Sequence, residues 1–104
     1  MVNIELGTLK AVDRYIQMIE AKGVKAENCT VDGKDPTSLA HALWMCKELQ
    51  KKIEPYKGSG FSVDKFSRWL GFIQAILIFR GLTTVNAERD VTRSWFNDMV
   101  QDTD

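Results

Sequence analysis

Residues 62–81 read SVDKFSRWLGFIQAILIFRG, and the spacing of their apolar side chains predicts a helix that ends before Gly81. Ser62 is a suitable N-cap, and glycine commonly follows the last turn of a helix. Two faces of this helix are apolar, one formed by Phe66, Leu70, Ile73 and Leu77 and the other by Trp69, Phe72, Ile76 and Phe79. Such a helix has to be covered by neighbours, so we expect it to lie in the middle of the fold.

Three further helices are predicted around this segment. The first is capped by Thr8, the second begins at Asp35-Pro36, and the last is capped by Thr84. The polar stretch 24–34 has no helical periodicity and is predicted to be a loop. The expected helix bounds are about 8–22, 36–54, 62–80 and 84–100. The sequence therefore predicts one compact all-α domain of four helices over residues 1–104.

Composition limits the kinds of protein this chain can be. It has 104 residues, with 14 Lys and Arg against 14 Asp and Glu, which argues against bulk nucleic-acid binding. The longest apolar stretch, Trp69 to Phe79, would span about 16 Å as a helix, too short to cross a membrane. The two cysteines form no CxxC motif, and the first residues do not resemble a signal peptide. We expect a protein of a reducing cytoplasm.

Catalytic and metal-binding patterns are weak in this sequence. His41 is the only histidine, and on a helix Cys46 would lie about 140° away from it around the axis. Glu88 and Asp90 are two residues apart on the predicted last helix, so their carboxylates point in different directions. The glycines at 58 and 60 precede a helix but are not followed by the lysine of a phosphate-binding loop. We therefore expect no enzymatic activity, no cofactor and no metal ion. His41 could take part in ligand binding; the alternative is that it is a polar residue at the edge of a helix interface.

Cationic and aromatic side chains form the most suggestive set. Arg89 and Arg93 are four residues apart on the fourth helix, so their guanidinium groups share a face suited to a phosphate or carboxylate. Lys65 and Arg68 lie beside Trp69 on the third helix. The alternative for Arg89 and Arg93 is that they form ordinary surface ion pairs with Glu88, Asp90 or Asp64. The candidate ligand-binding residues are Arg89, Arg93, Arg68, Lys65, His41, Trp44 and Trp69.

Several short motifs of this chain also form a recognisable series. They are His41-Ala-Leu-Trp44-Met45-Cys46, Arg68-Trp69-Leu-Gly71-Phe72-Ile-Gln74, Gly81-Leu82 and Glu88-Arg89-Asp90-Val-Thr-Arg93. Over roughly residues 39–96 the chain resembles small helical proteins of unassigned function encoded by tailed bacteriophages. The resemblance implies an accessory protein that acts in the cytoplasm of the infected bacterium, where such proteins commonly block a host component or bind a signalling molecule.

Two functions of different class are consistent with these features. In the first, the protein binds an anionic small molecule, such as a nucleotide second messenger of host antiviral defence, with the cations holding phosphates and His41, Trp44 or Trp69 contacting bases. In the second, it is a helical interaction module that binds and inhibits a host protein. We also expect a homodimer or higher oligomer, because an apolar helix left uncovered would expose a large patch. The alternative is a monomer in which the first helix and the 24–34 loop cover that patch.

Overall fold

The computed structural model describes residues 3–53 and 62–100, and this part of the chain contains four helices and no strand. The helices are α1 (Asn3–Glu20), α2 (Leu39–Lys52), α3 (Val63–Phe79) and α4 (Val85–Val100). The all-α, four-helix prediction is confirmed. None of these helices is long and apolar enough to span a bilayer.

The first helix, rather than the third, occupies the centre of the structure. It packs against each of the other three helices, whereas α3 packs mainly against α1 and α2. Among the described side chains, the largest fully buried ones on α1, α2 and α3 include Tyr15, Ile19, Leu43, Phe66 and Leu77. Within the described part of the chain the central position predicted for the third helix is therefore wrong, because only one of its two apolar faces is fully covered there.

The two apolar faces of α3 have different environments. Phe66, Leu70, Ile73 and Leu77 are all buried, as the spacing predicts. On the opposite face Ile76 is buried and Trp69 is half-buried, but Phe72 is 43% exposed and Phe79 is 75% exposed. Among the described residues, nothing covers this second face completely.

The predicted starts of the first two helices differ from the observed ones. Residues 35–38 form a turn in which the Asp35 carboxylate accepts the Thr37 N–H at 2.9 Å. The N-cap of α2 is Ser38, whose hydroxyl oxygen accepts the His41 N–H at 3.1 Å. Asp35 and Ser38 are both suitable N-caps, and the helix begins after Ser38. In α1 the predicted cap Thr8 lies buried within the helix, which begins at Asn3.

Caps and ends elsewhere agree better with the sequence. Ser62 accepts the Lys65 N–H at 3.1 Å, and Thr84 accepts the Ala87 N–H at 3.1 Å, so both predicted N-caps are confirmed. Helix α1 ends at Glu20 rather than at 22, and the turn that follows closes at Gly23, whose φ of 77° favours glycine. Gly81 plays the same part after α3, with φ of 81°.

Candidate functional site

The most exposed apolar surface of α3 lies toward its C-terminal end. Phe72 and Phe79 line a groove of about 420 Å³ together with Ala75, Ile76 and Thr37. Phe72, Ala75 and Phe79 are three and four residues apart, so they follow one side of the helix. We call the side of α3 that carries Arg68, Gly71, Phe72, Ala75 and Phe79 the α3 outer face; all five residues are exposed.

One arginine fixes the rim of this groove. The Arg80 guanidinium donates to the Thr37 carbonyl at 3.0 Å, to its hydroxyl at 3.1 Å and to the Asp35 carboxylate at 2.9 Å. It also lies 5.3 Å from the centre of the Phe79 ring. Because these groups are partly exposed, the ion pair adds little stability, but its several bonds hold the 35–38 turn against the end of α3. The groove therefore has a defined shape and a polar border.

A second ion pair lies at the other end of the α3 outer face. Arg68 donates to Asp64 at 2.7 Å, and both side chains are largely exposed. Arg68, predicted as a ligand-binding residue, therefore forms an ordinary surface ion pair in the structure. Lys65 is exposed on the same turn of the helix. The α3 outer face thus has an apolar middle and an acid–base pair at each end.

The predicted ligand residue His41 is buried. Its Nδ1 accepts the backbone N–H of Cys29 at 3.0 Å, which holds the segment before α2 against that helix. Burial lowers the pKa of His41 below its ordinary value, although the Glu27 backbone carbonyl acts in the opposite direction. This position favours a structural role in the neutral form over contact with a ligand at the surface.

The aromatic residues predicted as base contacts lie next to one another. The rings of His41 and Trp44 are stacked with centroids 5.4 Å apart, and those of Trp44 and Trp69 are tilted with centroids 6.1 Å apart. Both tryptophans are half-buried and pack against the core. The structure therefore brings the three predicted aromatic residues together, where they join α2 to α3.

The predicted cations lie on two different helices. Lys65 and Arg68 belong to the first turns of α3, whereas Arg89 and Arg93 are exposed on α4, which packs chiefly on α1. Neither Arg89 nor Arg93 has an ion-pair partner within the described part of the chain. Arg89 and Arg93 lie four residues apart on a helix, as predicted. Their helix does not pack chiefly on α2 or α3, which carry the aromatic cluster.

The sequence analysis missed a buried polar network around Glu88, which is only 5% exposed. Arg14 donates to its two carboxylate oxygens at 2.9 and 2.8 Å, Thr83 donates at 2.5 Å, and the Tyr15 hydroxyl donates a further short bond. Gln74 in turn donates to the Tyr15 oxygen at 2.9 Å. The network joins α1, α3 and α4. Its signal in the sequence is the position of Glu88 three residues before Val91, on the apolar stripe of the last helix.

Electrostatics show that the network holds Glu88 in its charged form. Burial raises the pKa of a carboxyl, but the hydrogen bonds from Thr83, Tyr15 and Arg14 outweigh it and leave the pKa of Glu88 below its ordinary value. Burial, followed by the bond to Glu88, raises the pKa of Tyr15, so this phenol stays protonated. A carboxylate whose oxygens accept four hydrogen bonds is a poor proton acceptor, and we assign the network to holding the helices together.

The remaining reactive groups are buried too. Burial raises the pKa of the Cys46 thiol to about 12, which keeps it protonated at neutral pH. Within residues 3–53 and 62–100, no three His, Cys, Asp or Glu side chains are grouped so as to hold a metal ion. Comparison of the chain with protein-family models, with curated proteins and with solved structures found no match. Its function has to be inferred from its own surface.

Proposed function

We propose that this protein is a non-catalytic interaction module, and that its α3 outer face binds an apolar face of a helix from a protein partner. The observation that carries the proposal is the exposure of Phe72 and Phe79 around one groove. Clustered exposed aromatic side chains on a small protein commonly mark a binding surface, whereas single exposed apolar residues do not.

The form of the surface favours a helical partner. The groove follows the axis of α3 and presents apolar side chains at helical spacing, which suits a second helix laid along it. Arg80 and Asp35 give it the polar border that protein interfaces have around an apolar centre. Since the groove is built on a regular helix and a fixed turn, little ordering is needed on binding. In this proposal the partner lies inside an infected bacterium, as the resemblance to phage proteins implies.

The proposal is tested by photo-cross-linking in bacterial cytoplasm, with the photoreactive p-benzoylphenylalanine in place of Phe79. We expect adducts from position 79 that are lost when Phe72→Ser is added. The matched control is the same group in place of Val85, which is 55% exposed but lies on α4. Capture of a protein alone is not support; the adduct has to depend on the α3 outer face. Equal adducts from positions 79 and 85, or adducts insensitive to Phe72→Ser, would show that this face is not the binding surface.

Anion binding by Arg89 and Arg93 is retained as a second candidate function. It is favoured by one observation: two acids considered as neutralising partners are engaged elsewhere, Glu88 with Arg14 and Asp64 with Arg68. Two exposed guanidinium groups one turn apart suit a phosphate, and a nucleotide is the ligand class we propose for them.

The anion site is tested with a panel of cyclic and linear nucleotides, using the rise in Tm that binding to the folded state produces. For a nucleotide that binds, Arg89→Ala should weaken affinity by about 1.5–3 kcal/mol, the scale of hydrogen bonds to charged groups, and leave the fold intact. Lys10→Ala, an exposed cation on α1, is the control and should change nothing. Equal affinity of the Arg89→Ala variant would place the nucleotide elsewhere, and no Tm rise with any nucleotide would remove this candidate.

A further inference from the structure

We infer that the helix bound by the α3 outer face is α3 of a second copy of this chain, the two helices packing antiparallel about a two-fold axis near Gly71 and Ala75. The inference rests on the proposed function, because it names the partner of the same surface. Three independent features of the α3 outer face support it, namely an unexplained glycine, an alternation of large and small side chains, and the distribution of charge.

Gly71 lies in the middle of α3, where glycine is costly relative to alanine because it loses more backbone freedom on folding. Among the residues that the structure describes, nothing lies within 4 Å of a Cβ built at this position, and the φ of Gly71 does not lie in the left-handed region. The packing of residues 3–53 and 62–100, as far as the structure describes them, therefore gives no reason for a glycine here. A second helix lying against this point does, since small residues allow two helix backbones to approach closely.

Side-chain size then selects the orientation of the two helices. Phe72 and Phe79 are large, whereas Ala75, which lies between them on the face, and Gly71, which directly precedes Phe72, are small. In an antiparallel pair centred between Phe72 and Ala75, each Phe72 lies opposite Ala75 of the other copy, and each Gly71 lies close to the centre of the contact. In a parallel pair the rings would face each other and the small residues would leave a gap. Close packing of interfaces favours the antiparallel arrangement.

The charges at the ends of the face agree with this orientation. Asp64 and Arg68 form an ion pair at the N-terminal end, and Asp35 and Arg80 form one at the C-terminal end. A parallel two-fold pair sets every charge against its own copy, which is repulsive. An antiparallel pair sets one acid–base pair against the other, so that each acid can approach a base of the second copy. The chain also has zero formal net charge, so no long-range repulsion opposes association.

Sedimentation equilibrium of the purified chain tests the dimer. We expect a mass near twice 11.8 kDa at tens of micromolar. Gly71→Gln and Phe79→Ser should each weaken dimerisation about tenfold or more, the effect of disturbing the centre of an interface. The Val85→Ser variant, which removes an exposed apolar side chain outside the face, should dimerise as the wild type does. Since Gly71 has open space around it, circular dichroism should show Gly71→Gln to be as helical as the wild type.

Cysteine cross-linking tests the orientation. A mixture of Phe72→Cys and Ala75→Cys chains, oxidised briefly, should form the mixed disulfide faster than either chain forms its own. Cys29 and Cys46 are buried and should not compete. A monomer at all concentrations, a dimer that survives Gly71→Gln, or faster self-linking of each variant would overturn the inference. If the chain is monomeric but the cross-link from position 79 to another protein persists, the proposed function stands without the dimer; if that cross-link is absent as well, both fail.

Discussion

Glu88→Ala should lower the free energy of unfolding by about 2–4 kcal/mol, a large share of the stability of a domain of this size. The carboxylate accepts hydrogen bonds from Arg14, Tyr15 and Thr83, and all three donors lose their acceptor in the variant. The Tyr15 side chain is fully buried and keeps only Gln74 as partner. Arg14 is partly exposed and can turn to water, so the expected loss is smaller than for a fully buried ion pair.

Urea unfolding followed by circular dichroism measures this loss. The matched control is Glu20→Ala, because Glu20 is also a helical glutamate paired with a cation, Lys47, at 3.0 Å, but on the exposed surface. Its loss should stay below about 1 kcal/mol. A loss for Glu88→Ala no greater than for Glu20→Ala would show that the network does not hold α4 against α1.

The same network fixes the direction of the pH dependence. The pKa of Glu88 is lower in the folded chain than its ordinary value of 4.5, so its stabilisation is full above that pH and is lost as the pH falls below it. His41 acts with the same sign in a higher window, because burial lowers its pKa below 6.5 and protonation favours the unfolded chain. Stability should therefore fall in two steps on acidification, and the lower step should shrink in the Glu88→Ala variant.

Local signals in the sequence were sufficient for the helices but not for their arrangement. Apolar spacing and capping residues identify all four helices, and the caps Ser62 and Thr84 are where they were expected. The start of α2 was misplaced because Asp35 and Ser38 are both good caps, and only the structure shows Asp35 bonded to Thr37 and Arg80 instead. Contacts such as that of Arg14 with Glu88, 74 residues apart, have no local signal at all.

The candidate site was harder to predict for a similar reason. The candidate residues were chosen for their chemistry, as cations and aromatics. His41, however, is buried and accepts the backbone N–H of Cys29, and this contact depends on how the segment before α2 lies against that helix. The face of α3 that stays exposed could not be chosen either, because Phe66 and Phe72 belong to equally apolar faces. Which face is covered depends on how α1 and α2 pack, and that is decided by the whole core. The exposed face of α3 is thus the apolar face that the described residues of the chain do not cover.

The contrast between those two phenylalanines gives the second large expected effect. Phe66 is fully buried, and Phe66→Ala should cost about 3–5 kcal/mol, since it removes a large apolar side chain and leaves a cavity in the core. Phe72 lies on the same helix but is half-exposed, so Phe72→Ala should cost less than about 1.5 kcal/mol in dilute solution. Urea unfolding at a concentration too low for association compares the two.

Association should respond in the opposite sense from stability. Phe72→Ala chains should remain folded and lose dimerisation and the cross-link from position 79, because the ring contributes to the groove rather than to the core. The milder substitution Phe66→Leu should leave the chain folded and associating as the wild type does, because the side chain at position 66 lies in the core. If Phe72→Ala instead unfolds the chain as Phe66→Ala does, the second apolar face of α3 is part of the core, and its exposure would no longer support a binding surface.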